Sequence, residues 1–199
     1  MQIDLALIFG QLFGSRFNPD VKPVTGIVKG NRTEYGTAAG ARLYGIDAVS
    51  GVEYYLPATL EWKEPNVTGL RQLDLPHPLV SVTASKNIIE TQLTERRGTV
   101  KELINANDLQ ITIRGVIIGK TNEFPEEVVT QLWELYSQNV AMTLKNGLTD
   151  IFLINSDTQG YDKVVIKSLT FPEIRGVKHV KGYEMQLVSD VPFSLTQSR

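Results

Sequence analysis

The chain contains no cysteine, which excludes a disulfide framework, thiolate catalysis and cysteine-bound zinc. Histidine occurs only twice. His77 stands between Pro76 and Pro78, and His179 lies in the run Gly176 to Gly182. Neither has a second histidine or a carboxylate at the spacing of a metal site or a catalytic triad, so both read as loop residues. An excess of charge of either sign is also missing. Twenty Lys and Arg against 22 Asp and Glu leave a net charge of -2, which is no electrostatic footprint for nucleic acid and no polybasic membrane patch. No segment approaches the ~20 apolar residues of a spanning helix, so no membrane partner is expected. Aromatic residues make up 8% of the chain; without enrichment, Trp62, Trp133 and the tyrosines are assigned to core and interface packing rather than to sugar stacking. A secretory leader is not expected, because Asp4 interrupts the apolar run from Met1 to Phe9 and no Lys or Arg precedes it. The glycosylation triplets at Asn31 and Asn66 are then chance matches.

The chain has 199 residues, of which 42% are apolar. That suffices for one sizeable domain, or a compact domain with a long arm, burying about 70% of the unfolded surface. The clearest element is a helix from Pro125 to about Val140. Val128, Val129, Leu132, Leu135, Tyr136 and Val140 recur at three- and four-residue spacing, with Glu127, Gln131, Glu134 and Gln138 on the other face. Pro125 suits the start of a helix, and Glu126 and Glu127 complement the positive end of its dipole. Around this helix the pattern changes to alternation. Val80 and Val82, then Ile88 to Leu93, then Leu109, Ile111 and Ile113, and finally Tyr183, Met185 and Leu187 read as strands. Ile151–Ile154 and Val164–Leu169 are expected to pair as a hairpin across the turn Asn155 to Gly160, while Gly98 to Ile104 is expected to be a turn followed by a short helical or irregular piece. Leu5, Ile8, Phe9 and Leu12 have helical spacing, and leave open whether that segment docks on its own subunit or on a neighbour. Thr25 to Gly51 is rich in glycine and fits short strands and long turns. The three prolines between Lys63 and Pro78 exclude a long helix or central strand there and mark a connector. The expected division is therefore an N-terminal arm and Gly/Pro-rich region, 1–78, followed by a β domain, 79–199, carrying the helix at 125–140.

Three near-motifs fail on their own chemistry. Gly119-Lys120-Thr121 ends like a phosphate loop, but Arg114 occupies the place of the first glycine and Val116, Ile117 and Ile118 resist a cradle conformation. Asn155 to Asp162 alternates oxygen side chains like a calcium loop, yet the place of the bidentate glutamate holds Ile166. Glu126 and Glu127 are adjacent on a helix, point apart, and cannot act as an acid and base on one bond. No catalytic, cofactor-binding or metal-binding residue is singled out, and the chain is not expected to be an enzyme.

Several spaced segments between about Val80 and Pro192 carry a resemblance: Arg97 to Ile104, Asp108 with Ile111 to Gly115, Pro125 opening the helix, Val164 to Ile166 with Phe171 to Glu173, and Tyr183 to Asp190. With these the chain resembles an uncharacterised family of bacteriophage tail and baseplate proteins from phages and prophages of Bacteroidetes. The resemblance implies an α+β, β-rich fold of the tail-tube type, a β-sandwich or barrel with one flanking amphipathic helix. It also implies subunits joined edge to edge in a ring, a hexamer, around a tail channel. Implied partners are neighbouring tail-tube and baseplate or hub proteins, with contact to a tape-measure protein; the implied location is the virion tail, assembled in the host cytoplasm. Ile88 to Arg97 reads either as a hairpin reaching a neighbouring subunit or as an ordinary solvated one. A second function class is an adaptor or assembly chaperone that holds a partner and does not stay in the particle. A third, a cell-wall hydrolase carried by a tail, needs a carboxylate or metal site that the sequence does not present.

Overall fold

A computed structural model describes residues 5–14, 44–46, 53–64, 69–92, 98–119, 123–153, 163–173 and 178–190. Its centre is a seven-stranded sheet in which every neighbouring pair is antiparallel. The strands are β3 (Ala58–Trp62), β4 (Arg71–Leu75), β5 (Leu79–Thr83), β8 (Gln110–Ile118), β9 (Met142–Lys145), β10 (Lys163–Thr170) and β11 (Val180–Ser189). Across the sheet they run β4-β3-β9-β10-β11-β8-β5. Two small ribbons, β1 (Tyr44–Ile46) with β2 (Glu53–Tyr55) and β6 (Lys86–Gln92) with β7 (Thr99–Ala106), lie apart from it.

The strand order forces the sheet to curl. Strands β4 and β5 are its two edges, yet only Pro76, His77 and Pro78 separate them in sequence. Seven flat strands would hold those edges about 29 Å apart, whereas the four Cα steps from Leu75 to Leu79 reach at most about 14 Å. The edges must approach at that corner, although no ladder joins β4 to β5 among the described residues. The result is a strongly curled, open sheet rather than a closed barrel.

Alternation then separates two faces. Ile111, Ile113 and Ile117 of β8 and Tyr183, Met185 and Leu187 of β11 point inward and form one buried cluster with Leu60, Leu75, Met142, Leu144 and Val164. The helix α2 (Glu126–Ser137) contributes Leu132 and Leu135 to that cluster, each stabilising by about 1.5–3 kcal/mol. Pro125 is its N-cap, Glu126 and Glu127 fill the first turn, and the helix ends at Ser137, three residues before the expected Val140. Tyr136, expected on the apolar face, is instead exposed beside Trp133, with ring centroids 5.5 Å apart.

The outer face is covered locally by α1 (Leu5–Phe13), so the flanking helix is not single. Ile8 is buried with Val116, Ile118 and Val180, with Leu12 and Phe13 packed alongside. At its end Phe13 lies under the Arg114 guanidinium, 5.7 Å from ring centroid to Cζ, while Arg114 Nε donates to Glu184 Oε2 at 3.0 Å. The N-terminal segment therefore docks on its own subunit. Gly182 makes this approach possible: a Cβ there would sit 2.7 Å from Leu12 Cδ1 and 3.3 Å from Pro172 Cγ. Gly182→Val should strip hydrogen-exchange protection from residues 5–14 while leaving the sheet amides protected; loss of protection throughout the sheet would contradict this.

Two expectations are corrected. Thr99–Ala106 is a strand, not a turn with a helical piece. Asp150–Leu153 is a short helix, α3, not the first strand of a hairpin; the expected turn at 155–160 lies outside the described residues. The reason for α3 is local. Buried Asn146 accepts the Leu148 and Thr149 N–H groups on Oδ1 at 3.0 and 3.3 Å and donates from Nδ2 to the Leu56 and Pro57 carbonyls. That side chain turns the backbone into a helical start and ties it to the entry of β3. β3 and β4, which precede residue 78, pair into the same sheet as the later strands.

Candidate assembly surface

β5, β6, β7 and β8 form one long antiparallel ribbon in two parts. The inner part, β5 with β8, belongs to the sheet, and the outer part, β6 with β7, leaves it. Between them Asn107 N–H donates to the Ser85 carbonyl at 2.9 Å and Asn107 Nδ2 donates to Ser85 Oγ at 3.1 Å, which pins the two chains at the base of the arm. At seven residues for β6, the arm is about 23 Å long.

The arm mixes polar and exposed apolar side chains on both faces. Register places Glu90 opposite Lys101 and Thr91 opposite Val100. On one face Lys101 Nζ pairs with Glu90 Oε1 at 3.2 Å, and Thr99 Oγ1 donates to Glu90 Oε2 at 3.5 Å. The pair is exposed and contributes under about 1 kcal/mol. The opposite face carries Ile89 and Val100 with Thr91 and Glu102, while Ile88 falls on the Glu90 face and Ile104 lies at a register shift. Ile88, Ile89, Val100 and Ile104 are 45–56% exposed. Every residue of β6 is exposed, so this half-apolar ribbon has no core of its own.

A second exposed apolar surface lies on α2. Glu126, Val129, Trp133 and Tyr136 follow one another along the helix at three- and four-residue spacing, and Trp133 is 55% exposed. Phe124, just before the helix, is also exposed. Glu123, Glu126, Glu127 and Glu134 surround this stripe, and α2 carries no lysine or arginine.

Buried ionisable groups lie elsewhere: Tyr183 and His77 at the closing corner, Asp150 in α3 and His179 just before β11. Tyr183 lies wholly within the core and donates from Oη to the Pro76 carbonyl at 2.9 Å. Burial, with a smaller contribution from nearby Tyr54, pushes its pKa well above 10.0. His77, in the loop between β4 and β5, is buried, and its ring lies 5.2 Å from that of Tyr54; His77 also has a φ of 41°. His179 is buried and its carbonyl accepts the N–H of Gly119, the residue after β8, at 2.7 Å. No group of three or more His, Asp or Glu able to hold a metal occurs among the described residues, and no helix among them is long and apolar enough to cross a membrane.

The tyrosine gives a pH dependence with a definite sign. Above the ordinary tyrosine range the unfolded chain loses a proton that the folded chain keeps, so stability attributable to Tyr183 is present below pH 10 and falls as pH rises further. Tyr183→Phe should cost about 1–3 kcal/mol at pH 8 by leaving the Pro76 carbonyl unpaired. It should also lose less stability than the wild type between pH 8 and pH 11. Equal losses in denaturant titrations at the two pH values would contradict the assignment.

A family model described as Domain of unknown function (DUF6046) matches residues 74–199. The chain belongs to this family. The DUF6046 region starts inside β4 and takes in the closing corner, the arm and α2, while β3 lies outside it. No curated protein matches the chain. Among solved structures, a chain from the tail of an empty gene transfer agent particle of C6 symmetry is 13% identical, with a TM-score of 0.35 over 69% of this chain and 93% of that one. A chain from the virion of a native gene transfer agent particle is 15% identical, with a TM-score of 0.34 over 70% and 95%. Scores at this level do not establish a common topology.

Proposed function

We propose that this chain is a non-enzymatic structural subunit of a bacteriophage tail or related contractile injection machine. It stands at the tube end or baseplate hub, or as an adaptor, in a hexameric ring around the tail channel. One observation carries the proposal: the β6–β7 arm leaves the sheet with Ile88, Ile89, Val100 and Ile104 exposed. A projecting, half-apolar ribbon is poorly stable alone and is completed by a neighbour. The open edges β4 and β5 add unpaired backbone groups that subunit contacts would cover. The segments that resemble phage tail and baseplate proteins include β8 and β11, which are neighbours in the sheet, and β7, the returning strand of the arm. The neighbours expected in a particle are tail-tube and baseplate or hub subunits and the tape-measure protein, and assembly takes place in the host cytoplasm.

Purified particles from a strain encoding this chain test the proposal. The chain should be present at a fixed, low copy number relative to the tail-tube subunit. Its absence from mature particles, together with its presence in assembly intermediates, would instead identify an assembly chaperone or adaptor.

A further inference from the structure

Among the described residues the arm is a ribbon of two strands, with one free edge on β6 and one on β7. The two edges are not equivalent. Asn87 faces Asn105 and Ile88 faces Leu103, so β7 carries Ile104 as an extra residue; a bulge bends a strand and spoils its edge for further pairing. β6 runs Lys-Asn-Ile-Ile-Glu-Thr-Gln with no proline, no glycine and no extra residue, and all seven residues are exposed. A two-stranded ribbon is only marginally stable in water, and a further strand on the regular edge would stabilise it.

The order of charges along β6 selects that strand. Directly opposed residues in an antiparallel ladder either both bond across to each other or both point away, and the two settings alternate along a strand. A strand paired with its own copy about a two-fold axis must therefore place one residue on the axis. Lys86 and Glu90, the only charges of β6, are four residues apart. With Ile88 on the axis, Lys86 of each copy stands opposite Glu90 of the other, so the attraction is made twice. With Lys86 or Glu90 on the axis like charges meet, and with Asn87 or Ile89 there both charges face uncharged residues. Lys101 Nζ already lies 3.2 Å from Glu90 Oε1. The row across the joined ribbons then reads Lys101, Glu90 and Lys86 of the second copy, with alternating signs. β7 offers no equivalent, because Lys101 and Glu102 are adjacent and no residue lies midway between them.

We propose that the free chain is a two-fold dimer joined β6 to β6, with Ile88 on the axis, forming a four-stranded sheet in the order β7-β6-β6-β7. The contact is isologous and closes on itself, so it is not the contact repeated around a ring. It covers the regular edge of the arm before assembly, and the dimer parts when the arm meets its neighbours in a ring. This goes beyond the structural-subunit reading and does not depend on it.

Sedimentation equilibrium of the purified full-length chain at micromolar concentration tests it and should give two copies. Lys86→Glu and Glu90→Lys should each weaken the dimer on the order of tenfold, since each sets like charges opposite one another twice. An equal mixture of the two variants should recover most of the affinity as a heterodimer, which a loss of fold could not do. The absence of cysteine allows a positional measurement in the wild-type charge background. Ile88→Cys brings two thiols together at the axis, with Cβ atoms about 5 Å apart, and should give a covalent dimer with a short bismaleimide. Thr91→Cys sets its thiols about 20 Å apart along the strands and should not. A monomer, a six-membered species, charge variants that dimerise like the wild type, or linking at 91 in place of 88 would overturn the β6 contact. None of these results touches the structural reading, which the particle measurement tests by itself.

Discussion

Ile89→Asp combined with Val100→Asp should abolish incorporation into particles while leaving the isolated chain folded. Both side chains are about half exposed and lie on a ribbon outside the seven-stranded sheet. Carboxylates there remain solvated in the free subunit, and the change to folding stability should stay within about 0.5 kcal/mol per site. In an assembled contact the same carboxylates would be removed from water without a partner, at a cost of several kcal/mol each. Trimming residues 93–97 should have the same outcome. Particle purification with immunodetection, beside circular dichroism of the purified variant, reads both halves. Normal incorporation of the double aspartate variant would leave the arm an ordinary solvated hairpin.

Gly115→Val should destabilise the subunit by about 3–5 kcal/mol. Even a Cβ at this position would lie 2.4 Å from the ring and hydroxyl of Tyr183. The ring has no room to retreat, being fully buried in the core and fixed by its hydrogen bond to the Pro76 carbonyl. Displacing it breaks that bond at the corner where the two sheet edges approach. A fall in melting temperature of about 10 °C is expected for a chain of this size. A fall below about 2 °C would mean that the core accepts a side chain at 115 without moving Tyr183.

The buried sheet was legible because its residues alternate against one core. Ile111 and Ile113 on β8, and Tyr183, Met185 and Leu187 on β11, are buried on one side with polar neighbours between them. Leu132 and Leu135 marked α2 for the equivalent reason at helical period. Where a strand buries nothing, that signal vanishes: Val100, Lys101 and Glu102 face solvent, so β7 carried no alternation to read. The run Ile151–Ile154 is equally apolar as strand or helix, and the helix at Asp150–Leu153 was decided by Asn146 four residues upstream. Strands β3 and β4 were hidden by the prolines around them. Those prolines flank the strands instead of interrupting them, and Pro76 and Pro78 build the corner that curls the sheet. The assembly surface was half visible. Ile88 to Arg97 was marked as a hairpin, and Trp133 and the tyrosines were assigned to core and interface packing together, because sequence spacing cannot distinguish a ring turned into its own core from one offered to a neighbour.

The central claim is that this chain is a built-in part of a tail. The most direct measurement is its copy number in purified particles by quantitative mass spectrometry against the tail-tube subunit. A constant stoichiometry of six per tail, unchanged through further purification, is the predicted result. Absence from intact particles, or a copy number that declines with each purification step, would contradict it.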